Sequence, residues 1–105
     1  MSDTVADLEI RDTNTYERTS DSGATQGRQL FHVVNDLDAE VTVTVYGTRD
    51  EDRENFTDAE NLGTLTIASS TTGYETLSDP WEEVQFETVA SSTPSSGSLQ
   101  IYEMK

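Results

Sequence analysis

The chain alternates apolar and polar residues over several short stretches, which is the pattern of strands with one buried face. The alternation is clearest in VTVTVY, where Val41, Val43 and Val45 fall on one side and Thr42 and Thr44 on the other. This pattern predicts a half-buried antiparallel strand.

Similar stretches recur along the chain, separated by turn residues. Further strands are predicted over residues 5–11, 29–35, 62–68, 73–77, 81–90 and 99–104. About six or seven short strands in a chain of this size favour an all-β fold, a single antiparallel β-sandwich of the jelly-roll or immunoglobulin-like type. A closed barrel is the second choice. At 105 residues the chain has the size of one domain, predicted to span residues 1–105.

The segment 12–28 differs from the rest because it is polar and rich in Ser, Thr and Gly. This composition predicts a polar arm or a long loop. With few apolar side chains of its own, such an arm is expected to lie across a neighbouring subunit.

The core is predicted to consist of the apolar residues on one face of each strand. Its expected members are Val33 or Val34, Val41, Val43, Val45, Leu65, Ile67, Val84, Phe86, Leu99 and Ile101. The strand 29–35 is apolar on both faces, with Leu30 and His32 opposite Phe31 and Val33. Its second apolar face predicts contact with another subunit, in a ring or trimer or against a larger shell protein.

The net charge of the chain limits which partners are expected. The chain has 21 Asp and Glu against six basic residues, and a formal net charge of −15. Nucleic acid is not an expected partner, since phosphate binding needs clustered Lys and Arg. Although such charge is common in disordered chains, the alternating apolar runs favour a folded one. The acidic, lysine-poor composition resembles that of proteins from salt-in halophilic archaea and their viruses, in which molar salt screens carboxylate repulsion.

Several features exclude classes of protein. Cysteine is absent, so disulfides, thiolate metal sites and Cys nucleophiles are excluded. The N-terminus lacks a basic region followed by an apolar run, and no apolar stretch approaches the roughly 20 residues of a membrane span. We therefore expect no signal peptide, synthesis in the cytoplasm and no membrane partner.

A calcium site is the first candidate chemistry. A charged segment supplies enough carboxylates for such a site, among them Asp50, Asp52, Glu54 and Asp58, but their spacing does not support one. An EF-hand loop beginning at Asp50 would need Gly at its sixth position and Glu at its twelfth, where the chain has Asn55 and Asn61. A solvated acidic loop is therefore favoured over a metal site. The second acidic cluster, Asp36, Asp38 and Glu40, runs directly into a strand and is interpreted in the same way.

Catalytic arrangements are not expected. His32 is the single histidine, without the partners for a zinc site or a Ser-His-Asp triad, so a packed, hydrogen-bonded His is predicted. Glu82, Glu83 and Glu87 supply carboxylates for glycoside hydrolysis, but a sandwich this small seldom holds a deep cleft. We predict no enzyme activity, no catalytic residues and no cofactor.

Aromatic residues offer an alternative of another class, a carbohydrate- or surface-binding module. The candidate aromatic side chains are Tyr46, Tyr74, Trp81 and Tyr102. Trp81 follows Asp79-Pro80 at the start of a predicted strand and is expected to anchor a corner of the core.

Across residues 29–104, the succession HVVNDLDAEVTVTVYGT, a charged loop, LGTLTIA and DPWEEVQFETVASSTPSSGSLQIYE resembles small β-sandwich virion proteins of tailed viruses that infect haloarchaea. The resemblance is one of pattern, composition and length, and it transfers no residue-level function. It implies a structural virion protein, a capsid decoration or turret subunit, or else a neck or tail component. Its implied partners are copies of itself and other virion proteins such as a major capsid protein.

Overall fold

The structure, a computed structural model, describes residues 2–20, 29–48, 60–77 and 83–104. Within these ranges the chain forms eight β-strands and no helix. The strands are β1 (Ser2–Leu8), β2 (Tyr16–Ser20), β3 (Gln29–Asn35), β4 (Val41–Thr48), β5 (Glu60–Ile67), β6 (Thr71–Leu77), β7 (Glu83–Ala90) and β8 (Leu99–Met104). The prediction of an all-β fold is confirmed.

The strands form two four-stranded sheets that pack face to face as a β-sandwich. Sheet A has the order β1-β8-β3-β6 and sheet B the order β2-β7-β4-β5. The pairs β1 with β8, β2 with β7, β3 with β6 and β4 with β5 are those of one long hairpin rolled up on itself. This is the jelly-roll arrangement, so the first of the predicted sandwich types is the one the chain adopts, and it does not close into a barrel.

Inward-facing apolar side chains from both sheets form the core. Phe31 of sheet A and Phe86 of sheet B are both fully buried, and their ring centroids lie 4.9 Å apart in an edge-to-face contact. Such aromatic pairs contribute about 0.5–1.5 kcal/mol beyond the area that they bury. This pair joins the centres of the two sheets.

Most of the predicted core residues are buried. Of the two alternatives on β3, Val33 is buried, whereas Val34 lies on the outer face. Leu65 is half-buried because β5 is the edge strand of sheet B. The core also includes apolar residues that the alternation did not mark, namely Ala6, Leu8, Ile10, Phe31, Leu37, Ala39 and Ala90.

The prediction of a polar arm over residues 12–28 is wrong for residues 16–20. These residues form β2, which pairs with β7 along its full length. Tyr16 packs against the core, and its hydroxyl donates to the carboxylate of Asp12 at 2.9 Å. That hydrogen bond raises the pKa of Tyr16. One apolar anchor is enough here because main-chain hydrogen bonds to a buried neighbour hold an edge strand. Residues 21–28 lie outside the described residues.

One end of the sandwich is closed by loops that hydrogen-bond to each other. Asn35 is fully buried, and its side-chain amide donates to the carbonyls of Ala39 at 2.9 Å and Ile67 at 3.0 Å. Gly97 has a φ of +88°, and a Cβ there would lie 2.0 Å from the carbonyl oxygen of Asp36. The loop after β7 therefore approaches the loop after β3 so closely that only glycine fits.

Candidate interaction surface

The outer face of sheet A carries a row of three aromatic rings. In the strand register, His32 of β3 lies opposite Tyr74 of β6 on one side and Tyr102 of β8 on the other. Residues directly opposite on antiparallel strands have side chains that project from the same face. Because β3 lies between β6 and β8, the register places the histidine between the two tyrosines.

The row is held by contacts within the sheet. The rings of His32 and Tyr74 meet edge to face with centroids 4.4 Å apart. His32 is half-buried on this outer face, and its predicted hydrogen bond stays a prediction. The Tyr102 hydroxyl donates to Oε1 of Gln100 at 3.0 Å, two residues back along β8. This hydrogen bond directs the Tyr102 ring along the strand. Tyr74 remains 57% exposed and is the large hydrophobic side chain that stands out on this surface.

Uncharged side chains surround the row. Leu30 and Val34 lie two residues before and after His32 on β3, and both are half-buried. We call the outer surface of sheet A the aromatic face; among the described side chains it comprises Leu30, His32, Val34, Thr72, Tyr74, Thr76, Gln100 and Tyr102. Asp7, opposite Gln100 on the edge strand β1, is the carboxylate at its margin.

The outer surface of sheet B has a different composition. We call it the threonine face; its described side chains are Glu17, Thr19, Thr42, Thr44, Tyr46, Asn61, Thr64, Thr66, Gln85, Glu87 and Val89. Glu17 of β2 and Glu87 of β7 lie directly opposite each other. The two outer faces of one sandwich therefore differ in charge and in aromatic content.

The aromatic residues considered for sugar binding do not all meet. Tyr74 and Tyr102 share the aromatic face, whereas Tyr46 lies on the threonine face. Trp81 lies outside the described residues. The interleaving of His32 between the tyrosines is the feature that sequence reasoning missed, because it depends on the register of three strands distant in sequence.

The first acidic candidate, Asp50, Asp52, Glu54 and Asp58, lies outside the described residues, and the prediction of a solvated loop stays a prediction there. In the second cluster, Asp38 accepts hydrogen bonds from the amide of Ser95 at 2.8 Å and from the Ser95 hydroxyl. These bonds lower the pKa of Asp38. Its carboxylate thus ties one loop to another, and no group of three metal-ligating side chains occurs in the described ranges.

The glycosidase candidates do not form a catalytic pair. Glu82 lies outside the described residues, and Glu83 is buried at the start of β7. Glu83 and Glu87 are four residues apart on one strand, which separates their backbones by about 13 Å. A retaining pair needs about 5 Å and an inverting pair at most about 9.5 Å. The absence of enzyme activity stays a prediction.

Comparisons with known proteins give the fold a context. No protein-family model matches the chain, and no curated protein sequence matches it. Among solved structures, the PBSX exported protein XepA has a TM-score of 0.73 at 11% identity, over 98% of this chain. The chain spans only 36% of that protein.

Two further solved structures are assemblies. A subunit of the Bacillus endospore appendages, described as disulfide-linked pili, has a TM-score of 0.58 at 12% identity, over 98% of this chain and 84% of that one. A chain of the Triatoma virus empty capsid has a TM-score of 0.51 at 11% identity, over 98% and 84%. At these identities the likeness concerns the fold alone. Chains from a capsid and from a pilus thus have folds similar to that of this chain.

No helix in the described part of the chain is long and apolar enough to cross a membrane.

Proposed function

We propose that this chain is a structural virion protein of a tailed virus of halophilic archaea, a capsid decoration or turret subunit that acts by protein–protein assembly. The observation that carries the proposal is the rolled-up order of the eight strands, β1-β8-β3-β6 over β2-β7-β4-β5. Jelly rolls of this kind recur in viral capsid subunits, and the Triatoma virus capsid is among the structures that this chain resembles.

A fold alone supports many functions, so the surface must add to the proposal. Protein interfaces are depleted of charge at their centres and enriched in Tyr and other aromatic residues. The aromatic face has this composition, in a chain whose net charge is −15. A surface whose described side chains carry a carboxylate only at the margin, at Asp7, is well suited in so acidic a chain to contact with another protein.

The remaining surface suits a halophilic environment. Five arginines and Lys105 stand against 21 carboxylates, and carboxylates hold water in concentrated salt. A subunit of this kind needs one surface for contact with other proteins and a hydrated surface toward the brine, and the two outer faces differ in this way. The partners that we propose are copies of this chain and other virion proteins such as a major capsid protein. The proposed location is the virion. If the chain does not lie on the head, we propose that it is a neck or tail component.

Carbohydrate binding is the second candidate, favoured by the exposed ring of Tyr74 beside His32 and Tyr102. Aromatic rings on a sheet face stack against sugar rings. The edge-to-face contact of His32 with Tyr74 weakens this candidate because the two rings stand perpendicular, whereas a flat sugar chain is best held by rings in one plane.

The proposal is tested on virus particles. Particles banded on a density gradient at the native salt concentration should contain the chain in many copies, measured by quantitative mass spectrometry against the major capsid protein. Purified chain should also bind again to particles from which it has been stripped. A chain that is abundant in infected cells but missing from banded particles would contradict the proposal, and retention on a polysaccharide matrix, released by free sugar, would favour the second candidate.

A further inference from the structure

We propose that the aromatic face is the contact surface between two copies of this chain. The inference rests on the proposed assembly function and names the partner that one face of the sandwich takes. Three properties of the face support it: the absence of carboxylates from its centre, its internal symmetry and the hydrogen-bonding character of its polar groups.

Charge argues for this face first. Burying a carboxylate between two copies costs free energy in any salt concentration because the charge loses its hydration, and at low salt two copies that each carry −15 also repel one another. On the threonine face, a second copy would cover Glu87 on the inner strand β7 together with Glu17 opposite it. On the aromatic face, the carboxylate of Asp7 lies only at the margin, on the edge strand β1. Of the two sheet faces, the aromatic face is the one on which two copies meet without opposing carboxylates at the centre.

The pattern of side chains on this face is symmetric about His32. Tyr74 and Tyr102 flank it at one strand's distance on either side, and Leu30 and Val34 flank it at two residues' distance along β3. A two-fold axis that lies in the contact plane and runs along β3 places Tyr74 of one copy opposite Tyr102 of the other. Each copy then uses the same patch, as a two-fold contact requires.

The polar groups on this face can form hydrogen bonds with the same kinds of group on a second copy. Threonine and tyrosine hydroxyls and the amide of Gln100 are each both donors and acceptors. When a second copy covers them, each polar group meets groups able to complete its hydrogen bonds. A strongly charged partner would have no opposite charge to meet there.

The size of the face sets the strength of the contact. Four strands about 4.8 Å apart and three rows of side chains about 7 Å apart give roughly 400 Å² on each copy. Stable interfaces bury about 800 Å² on each partner. We therefore expect a weak, reversible dimer that dissociates on dilution, and a contact of this kind gains strength when many copies share one particle.

The test measures self-association of the purified full-length chain by sedimentation equilibrium in about 3 M KCl, where the Debye length is below about 3 Å. Concentrations should extend to about 1 mM, where weak contacts become populated. Tyr74→Glu places a charge within the proposed contact, one strand away from His32. Its matched control is Thr66→Glu, which adds the same charge to an exposed position on β5, the edge strand of the opposite sheet. Tyr74→Ala removes the ring without adding charge.

The expected result is a dimer for the wild type and for Thr66→Glu, with association weakened at least about tenfold in Tyr74→Ala and more in Tyr74→Glu. Circular dichroism with an unchanged melting curve shows that each variant is folded. The inference is overturned if the wild type stays monomeric, if Thr66→Glu weakens association as much as Tyr74→Glu, or if the face binds glycans instead. Presence of the chain in virions together with a monomer in solution would reject this contact and keep the proposed function. A chain that dimerises in solution but is absent from virions would support this contact and reject the proposed function.

Discussion

The two sheets contribute alike to one interior and present different surfaces to the outside. Inside, Phe31 of sheet A meets Phe86 of sheet B, and valines from both sheets surround them. Outside, sheet A exposes tyrosines around a histidine, whereas sheet B exposes threonines and glutamates. The interior is what a sandwich of this size needs to fold, so both sheets must supply it. The outer faces are free to differ, and the difference between them is therefore the better indicator of function.

Removing salt should have the largest effect. At low ionic strength the repulsion among the carboxylates of a chain with a net charge of −15 is unscreened. We expect this repulsion to exceed the stabilising free energy that one modest core supplies. Circular dichroism melting curves between about 0.1 M and 3 M KCl measure this, with the melting temperature rising throughout. A melting temperature that is flat across this range contradicts the halophilic interpretation of the surface.

Calcium added at constant high salt should stabilise the fold no more than magnesium does.

The contrast between inside and outside can be measured within sheet B. Phe86→Ala removes a fully buried ring and should lower the free energy of unfolding by about 3–5 kcal/mol. Thr44→Ala, on the threonine face of the adjacent strand β4, should lower it by less than about 1 kcal/mol. Chemical denaturation at high KCl gives both values. Equal losses at the two positions would mean that the inner and outer faces of sheet B are assigned the wrong way round.

The threonine face should respond to removal of a single charge. Glu17 and Glu87 are like charges directly opposite each other across β2 and β7. Such pairs are destabilising, by about 0.2–1 kcal/mol on the scale of cross-strand pairs. Glu17→Gln should therefore stabilise the fold at the lowest salt concentration at which the wild type still folds, with the gain lost in about 3 M KCl, where the repulsion is screened. Thr19→Gln, on the same strand and face, is the control and should show no such dependence on salt.

The smallest expected effect concerns the edge strand β6. Burial raises the pKa of Glu75 above its ordinary value of 4.5, so the folded state holds a proton more tightly than the unfolded state does. Its contribution to stability is present at low pH and is lost as pH rises through the folded-state pKa. Glu75→Gln should then raise the melting temperature at pH 7, and the gain should shrink as the pH is lowered below about 4.5. A gain that is independent of pH would rule out the ionised carboxylate as its cause.

The pairing of β2 with β7 changes what a deletion should do. A free arm over residues 12–26 is removable without damage to the sandwich. Tyr16, however, packs against the core, and β2 completes the edge of sheet B. We therefore expect deletion of 12–26 to destabilise the fold itself, so that a loss of association in that variant carries no information about the contact between copies.

The sequence by itself determined the fold class, most of the strands and most of the core. Alternation in stretches such as β4 and β7 selects one buried face, and burial of that face stabilises the fold however the strands are ordered. Sequence alone did not reveal β2, because the main-chain hydrogen bonds that hold an edge strand leave little trace in side-chain type. It also left Leu37 out of the core, since a buried residue between Asp36 and Asp38 in a turn follows no strand period.

Only the tertiary structure decided which strands are neighbours, and with that the composition of the two outer faces. His32, Tyr74 and Tyr102 are separated by 42 and 28 residues in the chain, and nothing in their local sequence states that they share a row. The register between β3, β6 and β8 follows from rolling the long hairpin, which is a property of the whole chain. The alternation defines one buried side of each strand. The surface that a partner meets is set by the order in which those strands are laid side by side.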